Sequence, residues 1–544
     1  MDIRRLVLFV VFSFSVMMLW DAWQVKEAPE NIAASTEPAV DTSIPTASSD
    51  TVSSAQVGSD QFKLVEGENI KVGTDLYQAE ISTTGGDLRH LTLKKHRADG
   101  KAAGYFSLMD DAADPMLYVA QTGLIGADLP NHKSQFTSTV NHRTLAEDAK
   151  TLDVKLSWEA NGISVDKVYT FHRGSYVIDV AYHINNASSS EITPSVYYQI
   201  THDSESNQGS AFMPTFTGGA YYTAENNFNK ISFADMADTN LSLKSKDGWI
   251  GIIQHYFASA WIPKAGVSNE FYTKQLADDM YAVGTVNPIG KIGAGASTDV
   301  KAKLFAGPQT APDLEAAAPG MEYAVDYGWL TIIAKPLFWL LSKIYSFIGN
   351  WGVAIIVLTI LIKAVFFKLS AASYRSMAHM RELAPRMQSL KEKFGDDKQK
   401  MQQAMMEMYK TEKINPLSGC LPILVQIPVF IALYWVLLGS VELRHAPFFG
   451  WIQDLSATDP YYILPILMGA TMIFQTYLNP APTDPIQAKV MKIMPIVFSI
   501  FFFFFPAGLV LYWLVNNILS IAQQWYINKT IHAAALAKKG RAKR

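Results

Sequence analysis

Residues 351–367 read WGVAIIVLTILIKAVFF. The run is long enough to span the hydrocarbon core of a bilayer, yet Lys363 lies inside it. A charge near the centre of a span costs about 2.5–3.5 kcal/mol on insertion scales, so it faces protein or water rather than lipid. Thr359 precedes Lys363 by four residues, which puts both polar groups on one helix face. The plain alternative is a lysine whose stem snorkels toward the headgroups.

Working outward, apolar stretches sit at residues 6–20 and beyond residue 328 of the 544-residue chain. Charge is segregated in the same way. Residues 21–350 hold 24 Lys+Arg against 38 Asp+Glu, and the remainder 22 against 11. An acidic region and a basic one on opposite sides of a membrane is what the positive-inside rule predicts. The only cysteine, Cys420, excludes an intrachain disulfide and a cysteine metal cluster.

The residues predict six transmembrane helices. Residues 1–23, with Arg4 and Arg5 before the apolar run and Trp20 and Trp23 after it, read as an uncleaved N-terminal anchor. The five-helix core, 349–528, contains spans at about 349–367, 417–438 and 461–478. Its apolar region 493–525 is divided in two by Pro506-Ala507-Gly508. Residues 328–348 carry Lys335, Pro336 and Lys343, which argue for an amphipathic helix on the outer surface rather than a span. Ten Lys+Arg in residues 368–413, Lys489 and Lys492 near Asp484, and the basic tail 529–544 place both termini in the cytosol. Residues 24–348 then lie outside, in the periplasm.

Residues 24–58, rich in Ala, Ser, Thr and Pro, read as a linker. Residues 59–320 read as a β-rich domain. Leu152, Val154, Leu156 and Trp158 alternate with polar residues, Asn161-Gly162 follows, and Ile163 and Val165 begin a return strand. Val180, Tyr182 and Ile184 repeat the alternation, so a large sandwich is expected. Its histidines are scattered, and Asp110-Asp111 and Asp278-Asp279 read as solvated turns; a structural or binding role is favoured over catalysis.

Two further patterns bear on function. The cytosolic segment 369–415 reads as a hairpin of two amphipathic helices, broken at Phe394-Gly395-Asp396 and restarted by Asp397 as a cap. Met377, Met380 and Met387 stripe the first helix; Met401, Met405 and Met408 stripe the second. Such stripes pack on each other or form an adaptable surface for varied apolar segments. Gln426, Gln475, Asn516, Ser520, Gln523 and Gln524 fall within spans. Interhelical hydrogen bonding suits Gln475, Gln523 and Gln524. Thr359, Lys363, Gln426 and Asn516 together point to a water-filled cavity, because Lys363 has no acidic partner in any span. The tail fits a topology signal, anionic lipid or RNA phosphate.

The stretches NPLSGCLPILVQIPVFIALYWVL, DPYYILPILMGATM and FPAGLVLYWLVNN closely resemble the YidC/Oxa/Alb family of bacterial inner-membrane protein insertases. The anchor followed by a large outer domain resembles its Gram-negative form. That resemblance implies a periplasmic β-supersandwich similar to mutarotase folds, and five spans around a hydrophilic groove open to cytosol and lipid. It implies Lys363 at a groove position usually held by Arg, Tyr512 at an aromatic position, and Trp513 where a second Tyr is common. It also implies insertion and chaperoning of nascent membrane proteins, alone or with the Sec translocon (SecYEG and SecDF), contacts with ribosomes and lipids, and no cofactor. Residues alone leave three other classes: a transporter with Lys363 as counter-ion, an assembly scaffold, and an intramembrane enzyme. Against these stand the lack of an internal repeat and of any His-Glu-x-x-His, Gly-x-Ser-x-Gly or Walker-type motif.

Overall fold

The computed structural model describes residues 43–45, 64–98, 104–111, 117–204, 215–277, 279–394, 397–412, 421–478 and 485–542. The expected anchor at 1–23, most of the linker 24–58, and Cys420 lie outside the described residues. The chain divides into two compact units, one of them β-rich and ending at Asp326, the other containing residues from Tyr327 onward.

The β-rich unit consists of a ten-stranded and an eight-stranded sheet. The hairpin expected at residues 161–162 pairs Thr151–Ala160 with Ile163–His172, with Ala160 opposite Ile163. Asn161 and Gly162 both adopt positive φ, 53° and 75°, as a two-residue turn matched to strand twist requires. Alternate residues of Ile163–His172 are buried, so one face of the strand builds the core. The next strand, Val177–Asn186, buries Ile178, Val180, Tyr182 and Ile184. Trp249, Trp261, Tyr169, Tyr198, Phe171 and Phe257 are wholly buried. Each contributes about 1.5–3 kcal/mol of transfer free energy, offset in part by ordering.

The pair Asp110-Asp111 is a correction. These residues do not form a solvated turn: His90 Nδ1 lies 3.3 Å from Asp110 Oδ1, and His90 Nε2 lies 2.6 Å from Asp111 Oδ1. Arg89 Nη1 approaches Asp111 at 3.5 Å. Strand pairing between Leu88–Arg97 and Tyr105–Met109 brings them together, which no sequence spacing reveals.

The second unit is helical. Its elements are α1 (Thr331–Ile348), α2 (Trp351–Val365), α3 (Phe367–Glu382), α4 (Ala384–Phe394), α5 (Lys398–Thr411), α6 (Leu421–Gly439), α7 (Ile463–Leu478), α8 (Pro485–Phe501) and α9 (Ala507–Ala542). Gly349 ends α1 in the left-handed region (φ 73°), donating to the Tyr345 carbonyl at 2.7 Å. Asn350 caps α2, its side chain accepting from Val353 N at 3.0 Å. Asp397 caps α5 as expected, accepting from Gln399 N and Lys400 N.

Several boundaries differ from the sequence expectation. The helix from residue 351 stops at Val365 and bends by 66° into α3, so Lys363 lies in the last turn of α2 and not mid-span. The segment expected to form one helix up to Phe394 is two, α3 and α4, because Pro385 lacks the amide needed to continue α3. The helix α8 begins at Pro485, so Lys489 and Lys492 lie on its exposed early turns rather than in a loop. The tail continues α9 to Ala542.

By length and composition, Gly328–Ile348 is the one described helical stretch that could cross a membrane unaided. Residues 351–380 qualify as a bent pair, and Val425–Gly439 and Ile463–Leu478 are shorter apolar helices. The described helices therefore do not by themselves amount to six spans.

Candidate functional site

The helices α3, α6, α7, α8 and α9 wall a cavity of about 540 Å³. Polar side chains enter it from four helices: Ser370 and Ser373 from α3, Gln426 from α6, Gln475 from α7, and Asn516 and Ser520 from α9. Apolar walls come from Met377, Phe430, Met494 and Phe498. Helices of this composition normally bury such amides against each other or keep them out of lipid. Here they converge on open space, with room for water or for part of a ligand.

Aromatic side chains pack together along one part of the wall. Phe430 meets Trp513 edge-on at 4.2 Å and stacks with Tyr512 at 6.0 Å. Phe502 lies 5.2 Å from Trp513. Beyond them the turn before α9 is tied down: Ala507 N donates to Ala457 O at 2.7 Å and Gly508 N to Leu455 O at 2.9 Å. Asp459, 1% exposed, accepts from Trp451 Nε1, Tyr461 N and Leu464 N, so its buried carboxylate pins the loop that grips α9.

Lys363 stands behind the cavity wall rather than in it. Its Nζ donates to Ser520 Oγ at 2.7 Å, and Ser520 Oγ donates to Asn516 O at 2.7 Å. Ser520 lines the cavity. A lysine in the last turn of a helix also meets the partial negative charge of the helix C-terminus.

The structure brings together four of the six expected groove residues, Gln426, Tyr512, Trp513 and Asn516. It sets Lys363 one side chain back. Thr359 does not join them: it is 1% exposed, and its Oγ1 donates to the Ile355 carbonyl of its own helix at 2.6 Å. A helical wheel places Thr359 and Lys363 on one face but cannot tell which neighbour that face meets.

Ser370, Ser373 and Tyr374 enter the cavity unforeseen, because the bend at Phe366 that turns α3 toward it has no proline or glycine to mark it. Gln475 was expected to bond between helices and lines the cavity instead. Gln523 and Gln524 do tie helices, donating to Phe367 O at 3.1 Å and Leu478 O at 3.2 Å.

The methionine stripes separate. Met377 faces the cavity. Met387 is buried between α4 and α5, where Tyr409 donates to its sulfur at 3.8 Å and Arg386 pairs with Glu412 at 2.6 Å. Met380, Met401, Met405 and Met408 are half-buried.

Residues 69–340 match the family model described as the YidC periplasmic domain, and residues 343–534 match that of the 60Kd inner membrane protein. The chain belongs to the YidC family. A relative from Methylobacillus flagellatus named membrane protein insertase YidC is 63% identical, with 100% of each chain covered. Another of that name, from Aromatoleum aromaticum, is 52% identical, with 98% of each covered. A solved structure described as an active YidC insertase with its first transmembrane domain resolved is similar over 85% of this chain and 93% of its own, at 17% identity and a TM-score of 0.40. YidC relatives are thus named as insertases, which are not enzymes, and the family is one of the inner membrane. The β-rich unit from residue 69 falls within the match to the periplasmic domain of that family, and the helical unit from residue 343 to 534 within the match to the inner membrane protein.

Proposed function

We propose that this chain is a membrane protein insertase and chaperone that receives nascent inner-membrane proteins in the cavity between α3, α6, α7, α8 and α9. The observation that carries this reading is the convergence of Gln426, Gln475, Asn516 and Ser520 on one space walled by apolar helices, with the Lys363 ammonium one hydroxyl behind it. A polar segment entering there exchanges water for fixed amides and hydroxyls, which lowers the several-kcal/mol cost of bringing it to membrane depth. Acidic or polar residues of the segment are drawn toward Lys363. The substrate's apolar helix meanwhile slides along the exposed faces of α6 and α8, among them Ile427, Ile493, Val497 and Ile500, and leaves into lipid. Hydrophobic transfer drives the step.

In this reading the aromatic block around Trp513 and the bonded turn before α9 lie on the periplasmic side and keep the groove closed there. Six spans, with the N-terminal anchor as the first, both termini cytosolic and residues 24–348 periplasmic, give that orientation. The helix α1 then rests at the outer interface, its exposed Trp329 and Trp339 at headgroup level. The hairpin α4–α5 offers Met401, Met405, Met408 and the half-exposed Met406 to emerging apolar segments. The basic end of α9 meets ribosomal RNA or anionic lipid, and the protein works alone or beside the Sec translocon.

A photo-crosslinker at Gln426 tests this, because Thr359 is sealed inside the bundle. Ribosome-bound chains of a small membrane protein should crosslink as their first apolar segment emerges and stop when it reaches lipid. Silence at Gln426 and Asn516 at every chain length would instead favour a transporter or scaffold.

A further inference from the structure

In the β-rich unit, Gln121, Gln199 and Thr201 are among the polar side chains of the ten-stranded sheet that have no exposure. Tyr198 meets Trp261 of the opposite sheet at 5.1 Å, so the even-numbered residues of Ser195–Asp203 point into the sandwich. Gln199 and Thr201 point the other way, from the outer face. Polar groups buried on an outer face require both partners and a cover.

The partners form a directed relay. Gln121 Nε2 donates to the buried carboxylate of Asp87 at 3.1 Å. That orientation leaves Gln121 Oε1 as acceptor for Gln199 Nε2 at 3.0 Å and Thr201 Oγ1 at 2.9 Å. Gln199 Oε1 accepts from the Tyr272 hydroxyl at 2.7 Å, which fixes its amide the same way round. Gly284 stands between Gln199 and Tyr272 in the strand register and leaves the space the phenol crosses. One N–H of Gln199 remains, and it points at the Ser43 carbonyl, 3.4 Å away. A carboxylate at one end of the relay therefore makes its other end a hydrogen-bond donor, suited to a backbone carbonyl.

We propose that this outer face is a binding site for a backbone carbonyl of a polypeptide segment, and that its resident ligand is the chain's own segment Ser43-Ile44-Pro45, which bends there. Ser43 is 8% exposed and Pro45 is buried, although both belong to a stretch whose composition reads as linker. The sequence around them, TSIPTASS at 42–49, carries no charge and mostly small side chains. Pro45 fixes its own φ and restricts the backbone of Ile44, so the segment loses less freedom on docking. Docking at residue 43 also shortens a leash. From the expected anchor to the first strand, Asn69–Gly73, the chain runs through 24–68; to the docked residue it runs only through 24–42. At ~3.3–3.6 Å per residue the greatest reach falls from roughly 150 Å to roughly 65 Å. The proposal does not depend on the insertase reading.

The test is a photo-crosslinking residue in place of Ile44 in the full chain, irradiated in native membranes and mapped by mass spectrometry. Adducts should concentrate within the chain, on Tyr118–Ile125, Ser195–Asp203 or Asn269–Ala277. Gln199→Met, which keeps volume and removes the amide, should lower them at least fivefold. Should that variant fail to fold, Pro45→Gly leaves the domain untouched and should lower the same adducts at least threefold. Adducts scattered over the domain, adducts chiefly on another polypeptide, or a yield unchanged by the substitutions would overturn the proposal.

Discussion

Lys363 and Ser520, 157 residues apart, share a 2.7 Å hydrogen bond in which the ammonium donates to the hydroxyl. Ser520 faces the cavity and Lys363 does not, so the hydroxyl places the positive charge at the wall. Lys363→Ala should therefore reduce insertion of substrates with acidic loops by about tenfold or more, whereas Lys363→Arg preserves it. Ser520→Ala removes a hydrogen bond to a charged group, worth about 1.5–3 kcal/mol, and should cost less than Lys363→Ala because the charge remains. Protease protection of substrate in proteoliposomes reads all three. Full insertion by the Lys363→Ala variant would sink the electrostatic part of the mechanism.

The close approach of α7 and α8 rests on Gly469. A Cβ there would meet Ser499 Oγ at 2.3 Å and Ser499 Cβ at 2.8 Å, and Ser499 Oγ donates to Pro465 O at 3.2 Å. Small residues at such crossings let helices pack by van der Waals contact. Gly469→Ala should lower thermal stability in detergent by about 1–3 kcal/mol equivalent, and Ser499→Gly in the same chain should restore much of it. An unshifted melting curve for Gly469→Ala would show that the helices are free to move apart.

The β-rich unit should respond to pH through Asp87 and Lys167, both without exposure. Burial pushes the Asp87 carboxyl up from 3.8 to about 6, though Lys167, Arg89 and the Gln121 hydrogen bond oppose the shift. Burial pushes Lys167 down from 10.5 to about 7, opposed by Asp87. Between pH 3.8 and about 6 the folded protein binds more protons at Asp87 than the unfolded chain does, so stability falls as pH rises. Between about 7 and 10.5 the unfolded chain binds more protons at Lys167, so stability rises. Hydrogen-exchange protection of Ile163–His172, corrected for intrinsic exchange, should pass through a minimum near pH 6–7. The double variant Asp87→Asn, Lys167→Met should flatten it. A monotonic profile in the parent chain would refute the assignment.

At the Asn161-Gly162 turn, Gly162 holds φ at 75°. Gly162→Ala should destabilise this hairpin by about 1 kcal/mol, read as faster exchange at Ala160 and Ile163, with little change in distant strands.

The sequence by itself determined the elements whose causes are local. Two positive-φ residues make the 161–162 turn, Asp397 starts α5 by capping its own first amides, and Pro506 ends the apolar run before α9. Charge segregation marked the β-rich and membrane parts, because the cost of moving charge across a bilayer is written in composition. The family motifs did the rest. What only the tertiary structure decided is which face of each apolar helix looks where. Lipid and protein neighbours are equally apolar, so helices such as α6 carry little periodic contrast between their faces. Hence Thr359 turned inward to bond its own backbone, Gln475 opened into the cavity, and Lys363 found Ser520 rather than a carboxylate. The same reason applies on the sheet, where Gln199 meets Ser43 across 156 residues. Contacts at that separation follow from how elements pack, and no local pattern encodes them.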